Sequence, residues 1–516
     1  MKYRPYPDSK PMLFGYDPYK VIPPDHLARL VELAVEETEL PLEFEARPGQ
    51  PAFNPRSLLK VSVYGYTTGV RSSRQLAQNC RENLPYLLLT RGDTPSYHTI
   101  SDFRVRYSHL IELVWLQLFL IADQCGMKRM GRIVIDSSKF RADAGPEAVI
   151  KANEFQPVLD ELREIFKEAS RIDKKDDEDP PGQTTLGQPV DTRNMRDILR
   201  RVRKQISAEK RGETATEAPA DEDASDKPLG PKMLPRIELA IETLEEALEN
   251  RDKFACLTDP DARMMPEGRE KNIHECHSFE IAVDEDAGLI VVGQSSQSSS
   301  DNSRLEPLVT AAKENAPNGV ILAVTADSGY YSGAGIVALL KEEIDVCIPD
   351  SSTAGDLHRA QPIGTTRSKT TGTIPFVYDA VSDSYSCPEG NHLVFHQVRN
   401  VKDQKMTVYK AERDCTGCPL KEVCMTRKTG KRRTMRVSEN HEVLQAHLAR
   451  FSEPDHEDRY HHRGSSVETV FGFTRGVLSF HRWSLRGKVR VACESVLFKA
   501  AYQFRKVFVT WRASQV

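Results

Sequence analysis

Two short runs of β-branched and apolar residues carry an aspartate, and they constrain the fold of this chain more than any other feature. Arg132 to Phe140 reads RIVIDSSKF with Asp136 inside it, and Ile321 to Gly333 reads ILAVTADSGYYSG with Asp327 where the run breaks. A carboxylate on a buried strand is costly without a cation or a hydrogen-bond partner. Each Asp alone reads equally as a turn former or a helix cap. If the two strands are neighbours, the acids meet.

The surrounding residues supply the rest of a sheet. Ser278 to Gln294, SFEIAVDEDAGLIVVGQ, is two apolar runs around an Asp-Ala-Gly turn, which predicts a hairpin. A helix is expected over Asn302–Asn315, then the strand ending at Asp327, a helix in GAGIVALLKEE and a strand in DVCIP. This order predicts a mixed α/β sheet of ribonuclease-H-like type, interrupted after its first strand.

The first 130 residues read as helices. PPDHLARLVELAVEE places Leu27, Leu30, Val31 and Ala34 on one face behind an Asp25 cap, and Asn54-Pro55 opens a second helix. TGVRSSRQLAQNCREN and the stretch from Pro95 to Gly126 follow. Such a set suits either a helix-turn-helix-like module, with Arg71, Arg74, Arg104 and Arg106 on DNA, or an ordinary helical bundle. After the first core strand, Leu159, Leu162, Ile165 and Phe166 mark one helix, and Ile237, Ile241, Leu244 and Leu248 mark another behind Pro235. The segments between, KKDDEDPPGQTTLGQP and GETATEAPADEDASDKPLGP, are too poor in apolar residues to offset ordering entropy. They predict mobile loops on an inserted helical hairpin.

The net charge of −4 hides an asymmetry. Residues 366–516 carry 26 Lys/Arg against 15 Asp/Glu, whereas residues 1–150 carry 19 against 17. The acidic excess therefore lies in the middle, and the basic last third, with RKTGKRRTMR at Arg427–Arg436, permits nucleic-acid binding. The most apolar run, Ile111–Ala122, contains Glu112 and Gln117 and falls short of the roughly 18–20 residues a membrane helix needs. A cytoplasmic protein is expected, with no membrane partner, and its ten cysteines as thiols or metal ligands. Cys387, Cys415, Cys418 and Cys424, one pair spaced C-x2-C, suit either a structural Zn²⁺ site or reduced thiols packed in a small β subdomain.

A third acid comes from Tyr460 to Trp483, YHHRGSSVETVFGFTRGVLSFHRW. Val467, Phe471, Thr474 and Leu478 share a helical face, and Glu468 and Arg475, two turns apart, stack on the neighbouring face. Three carboxylates from separate segments suit Mg²⁺-assisted phosphoryl transfer.

VIDSSKFRADA, LTDPDARMM, ADSGYYS, the run from Tyr460 to Glu468 and LSFHRWSLRGKVRVACESVLFKAAYQFRKV together resemble the DDE transposases of bacterial insertion sequences. The resemblance spans nearly the whole chain. It implies a ribonuclease-H-like core, cleavage and joining of element-end DNA with Mg²⁺ or Mn²⁺, and a DDE triad on Asp136, Asp327 and Glu468. Tyr460, Arg463 and Glu468 match a Tyr, Arg, Glu and Lys signature, with one extra residue between Arg463 and Glu468; Arg475 stands where Lys is usual. The expected partners are terminal inverted repeats and target DNA, bound by a homodimer in the cytoplasm at the nucleoid. The implied organisation is a helical DNA-binding domain (1–130), the first core strand (131–145), an acidic helical insertion (146–270), the core (271–372), a cysteine-rich insertion (373–437) and C-terminal core helices (438–516). A non-catalytic DNA-binding derivative and a nuclease without strand transfer are the competing readings.

Overall fold

The structure, a computed structural model, describes residues 17–41, 52–178, 195–210, 234–267, 270, 272–316, 319–361, 376–379, 381–401, 404–425, 430–438 and 440–515. Its central sheet contains five core strands: first Arg132–Arg141, second Asn272–Asp284, third Ile290–Ser296, fourth Ala323–Ala326 and fifth Asp345–Cys347. In space they run third, second, first, fourth, fifth, and Arg263–Glu267 extends the far end of the second. The first strand pairs antiparallel with the second and parallel with the fourth, which pairs parallel with the fifth. The antiparallel second and third strands are joined by the hairpin read in the sequence, and the parallel fourth and fifth by the helix Gly333–Lys341.

The first strand is covered on both faces, and its residues sort by alternation. Ile133 and Ile135 enter a core with Leu305, Leu308, Val309 and Ile336 from the helices Leu305–Asn315 and Gly333–Lys341. Val134 and Phe140 enter the opposite core, shared with Phe480, Trp483 and Phe498. That second core is continuous with the N-terminal helices, because the C-terminal helix Lys488–Ser514 packs on the sheet and on the Pro55–Thr67 and Ser108–Gln124 helices together. A Cβ at Gly293 would stand 2.9 Å from Lys499 Cβ, so glycine lets the third strand approach this helix.

Several local expectations change. Leu27, Leu30, Val31 and Ala34 are buried as their spacing predicts, but the cap of Leu27–Glu37 is His26, whose ring accepts the Ala28 N–H; Asp25 instead pairs with Arg512. Pro95–Gly126 forms two helices, Tyr97–Arg106 and Ser108–Gln124, bent by 72° where Tyr107 leaves helical torsions. Among the described residues no single helix is long and apolar enough to cross a membrane.

The insertion is not a hairpin but three helices, Phe155–Glu178, Met195–Lys210 and Leu234–Glu249. Ile198, Leu199 and Val202 of the middle helix pack against Leu159, Leu162, Ile237 and Leu244. Leu248, expected on that face, is 39% exposed. The expected mobile stretches at 179–190 and 212–232 lie outside the described residues, and 171–178 continue the first of these helices.

The cysteine-rich part is a separate antiparallel meander of Val377–Asp379, Ser384–Ser386, His392–Val401, Gln404–Ala411 and Thr434–Ser438. Tyr385, Leu393, Tyr409 and Met435 line its apolar face.

Candidate active site

The parallel register of the first and fourth strands pairs Ile135 with Ala326, so the next residues, Asp136 and Asp327, stand side by side. Asp327 ends its strand by capping the short helix Ser328–Tyr330, accepting the Gly329 N–H at 2.9 Å. A Cβ on Gly329 would lie 2.9 Å from Asp327 Oδ1 and 3.6 Å from Asp301 Oδ2. A side chain at position 329 would therefore crowd the Asp327 carboxylate, which would have to shift. Gly329→Ala should displace Asp327 without unfolding the sheet and lower turnover on DNA by about 10²-fold, the scale of a roughly 1 Å misplacement; unchanged turnover would show that the carboxylate position is not critical.

Asp136 Oδ1 accepts the Ser137 N–H at 2.8 Å, and Arg463 Nη1 lies 4.0 Å from Asp136 Oδ2. The Asp136 side chain is 21% exposed. Burial, then the neighbouring Asp327 carboxylate, pushes it up to about 7, against the pull of the Ser137 N–H and Arg463. Two adjacent carboxylates short of positive charge are a fitting donor pair for a hard divalent cation.

The third expected acid, Glu468, belongs to the helix Pro454–Gly476, which lies across the first and fourth strands. Its buried face includes Tyr460, Val467, Val470, Phe471 and Thr474, so the spacing read in the sequence holds for three of its four residues; the helix ends at Gly476, before Leu478. Arg459 fixes the helix by donating to Thr325 Oγ1 at 2.8 Å and to Asp345 on the fifth strand. Glu468 is exposed, one turn beyond Gly464 and between Arg463, which reaches Asp136, and Arg475, which reaches Ser138. Among the described residues no three His, Cys, Asp or Glu side chains stand close enough to hold a metal ion, so the structure brings Asp136 and Asp327 together but leaves Glu468 outside the pair.

The expected DNA contacts divide. Arg74 and Arg106 are exposed. Arg71 donates to the Ser479 and Arg482 carbonyls, both at 3.2 Å. Arg475 donates to Ser138 Oγ at 2.7 Å and sits 4.8 Å from the centre of the Phe140 ring. Tyr460 is 7% exposed beneath Arg463, whose guanidinium lies 5.3 Å from its ring centre. Arg104 must be corrected: it is 4% exposed and donates to the Arg71 carbonyl at 2.7 Å and to Tyr66 Oη at 3.3 Å, so it is an interior residue out of reach of phosphates.

A polar group beside the acids went unread in the sequence. Asp301 Oδ1 accepts from Ser137 Oγ at 2.8 Å and Lys139 Nζ at 3.0 Å, and buried Glu280 takes both prongs of Arg304 at 2.8 and 2.9 Å. The alternation of RIVIDSSKF already puts Ser137 and Lys139 on the face opposite Asp136. Asp301 lies in the serine-rich run from Ser295 to Ser303, which has no periodicity to follow.

Family models match two stretches of the chain. One described as Transposase DDE domain matches residues 386–508, which contain Glu468 and the four clustered cysteines, and one described as Transposase domain (DUF772) matches residues 16–106. Both stretches are thus similar to transposase domains. The two matches together support an insertion-sequence DDE transposase, with a mixed α/β sheet consistent with that class. A search of the curated proteins found no match.

Proposed function

We propose that the chain cleaves and joins the ends of an insertion sequence by metal-assisted phosphoryl transfer centred on Asp136 and Asp327. The observation that carries this is the parallel register that sets the two carboxylates side by side at the end of neighbouring strands. The strand order third, second, first, fourth, fifth, antiparallel on one side and parallel on the other, supports a ribonuclease-H-like core. Mg²⁺ or Mn²⁺, when bound, would activate the attacking water or 3′-hydroxyl and stabilise the leaving oxygen.

The chain's own residues have definite tasks. Asp136 and Asp327 would hold the ion, and Glu468, on the helix that Arg459 ties to the sheet, is the third acid of this reading. Arg463 sits beside Asp136 to meet a phosphate. Terminal inverted repeats, target DNA, a homodimer on DNA and the domain division given above belong to the same reading.

The cysteine-rich sheet offers a second DNA-facing surface. Register places Lys410, Arg436 and Arg399 on one face, with Val408 and Met406 between them, and its three longest strands contain no Asp or Glu. Lys410 and Arg436, diagonal neighbours on adjacent strands and about 7–8 Å apart, can follow a phosphate backbone.

Metal binding should depend on pH. A carboxyl pushed up to about 7 favours the folded, protonated state below its unfolded pKa, and that contribution is lost as pH rises through about 7. The metal must displace this proton, so its apparent affinity should fall about tenfold per pH unit below about 7. Mn²⁺ should therefore raise the melting temperature more at pH 8 than at pH 6; equal shifts would count against Asp136 as a ligand.

The test of the reading is strand cleavage and gel-shift binding on the same element-end DNA, with Mg²⁺, with Mn²⁺ and with chelator. Binding and metal-dependent cleavage are expected. Binding without cleavage under any divalent ion would favour the non-catalytic derivative.

A further inference from the structure

The described sheet around the cysteines has a thin interior: Tyr385, Leu393, Tyr409, Ala411 and Met435 are its buried cluster, and the opposite face carries exposed cations. Units of this size rarely hold together on their apolar core alone and commonly use a metal or disulfides as staples. All ten cysteines are free. A cavity of about 270 Å³ lies against the sheet, and Cys387, Cys415, Cys418 and Cys424 all line it.

We infer that Cys387, Cys415, Cys418 and Cys424 form a structural Zn²⁺ site that staples the cysteine-rich sheet. The four thiols arrive from three local structures. Cys387 begins the turn after Ser384–Ser386, and its Sγ accepts the Asn391 N–H at 3.3 Å. Cys415 and Cys418 flank a turn closed by Cys418 N–H to Cys415 O at 3.2 Å, and Cys424 ends the short helix Lys421–Cys424. The Asn391 side-chain amide lies 3.7 Å from Cys415 Sγ, so one residue supplies donors toward two of the sulfurs. Such donors are the outer contacts that orient and stabilise ligating thiolates.

Charge points the same way. Four thiolates around Zn²⁺ leave a double negative charge, and Arg413, Lys421 and Arg433 outnumber Glu389 and Asp414 on the cavity wall. Four thiolates there need a cation. The sulfurs surround the cavity without already standing at ligating distance, so binding requires them to turn inward to the roughly 2.3 Å of a Zn–S bond. A four-sulfur tetrahedral set selects a soft-binding ion such as zinc over Mg²⁺.

The site is independent of the Asp136–Asp327 pair, so either can fail without the other. Full-length protein purified without chelator should contain about one Zn²⁺ per chain by elemental analysis, as a single four-cysteine site requires. Cys418→Ser should lose most of that zinc, and Cys125→Ser, outside the cavity, should keep it. If Cys418→Ser does not fold, Co²⁺-substituted wild-type protein serves instead: intense thiolate-to-cobalt charge transfer with tetrahedral d–d bands is expected. Wild-type protein that is folded, zinc-free and takes up neither metal overturns the assignment. So does zinc retained in full by Cys418→Ser, or a Co²⁺ spectrum lacking thiolate charge transfer.

Discussion

Asp327→Asn is expected to lose metal-dependent strand cleavage by about 10³-fold or more, which corresponds to about 4 kcal/mol of transition-state stabilisation. Binding of the same DNA should be unchanged or slightly tighter, since a negative charge near the phosphates is removed. The substitution is a clean one because the structural task of Asp327 is small. Its side chain accepts one hydrogen bond, from the Gly329 N–H at 2.9 Å, and an asparagine oxygen can accept the same bond. The Ser328–Tyr330 turn and the Ile135–Ala326 register should therefore survive. What changes is the charge beside Asp136, and the Asp136 carboxyl should fall from about 7 as its anionic neighbour goes. Cleavage by Asp327→Asn at the parent rate would remove the acid pair from the chemistry.

The acid pair was legible because it rests on two short-range signals. RIVID and ILAVTAD are strands by composition, and an Asp at the same step of two neighbouring parallel strands needs only pairing to become a site. Glu468 was legible as a helix position, since Val467, Phe471 and Thr474 fix the face beside it, but its distance from the pair depends on how that helix docks. Docking is set by Arg459 with Thr325 and Asp345, more than a hundred residues away in sequence. Asp301 and Lys139 were missed for the same reason: their partnership joins the first strand to a serine-rich loop with no pattern of its own. Arg104 shows the opposite failure. An arginine in a helix bearing few apolar residues reads as surface, yet the Tyr66 hydroxyl and the Arg71 carbonyl give its guanidinium interior partners that no local spacing announces.

The fold divides along the same line. The hairpin, the two crossover helices and the central strands follow from period and turn residues, and each appears where expected. The middle helix of the insertion was hidden because Ile198, Leu199 and Val202 are few among many charges, and only two partner helices make them a core. The N-terminal helices read as a domain of their own because their apolar faces are complete in sequence. In space those faces close on Lys488–Ser514, nearly four hundred residues later.

That closure makes Glu494→Ala the substitution with the largest expected effect on stability. Glu494 is fully buried near the start of the C-terminal helix. Its Oε2 accepts the Ser484 and Leu485 N–H groups at 2.8 and 3.0 Å, and its Oε1 accepts from Tyr66 Oη at 3.3 Å. Burial pushes its carboxyl above the usual range, and the Ser484 and Leu485 donors pull the other way. Through Tyr66 and Arg104 the same carboxylate ties the N-terminal helices to the turn that holds Trp483 in the core. Alanine would leave two main-chain donors without an acceptor and open a void among Tyr66, Phe498 and Trp483. With roughly 1–3 kcal/mol for each orphaned buried donor, a loss of about 3–5 kcal/mol is expected. That is a large part of the roughly 5–15 kcal/mol by which domains are stable. Glu494→Gln should lose less, because its oxygen can still accept one of the main-chain donors. Urea unfolding followed by tryptophan fluorescence is the measurement, since Trp115 and Trp483 lie in this shared core. A midpoint unchanged in Glu494→Ala would mean that the N-terminal helices and the central sheet are held together by their other contacts, and that the buried carboxylate is not their clamp.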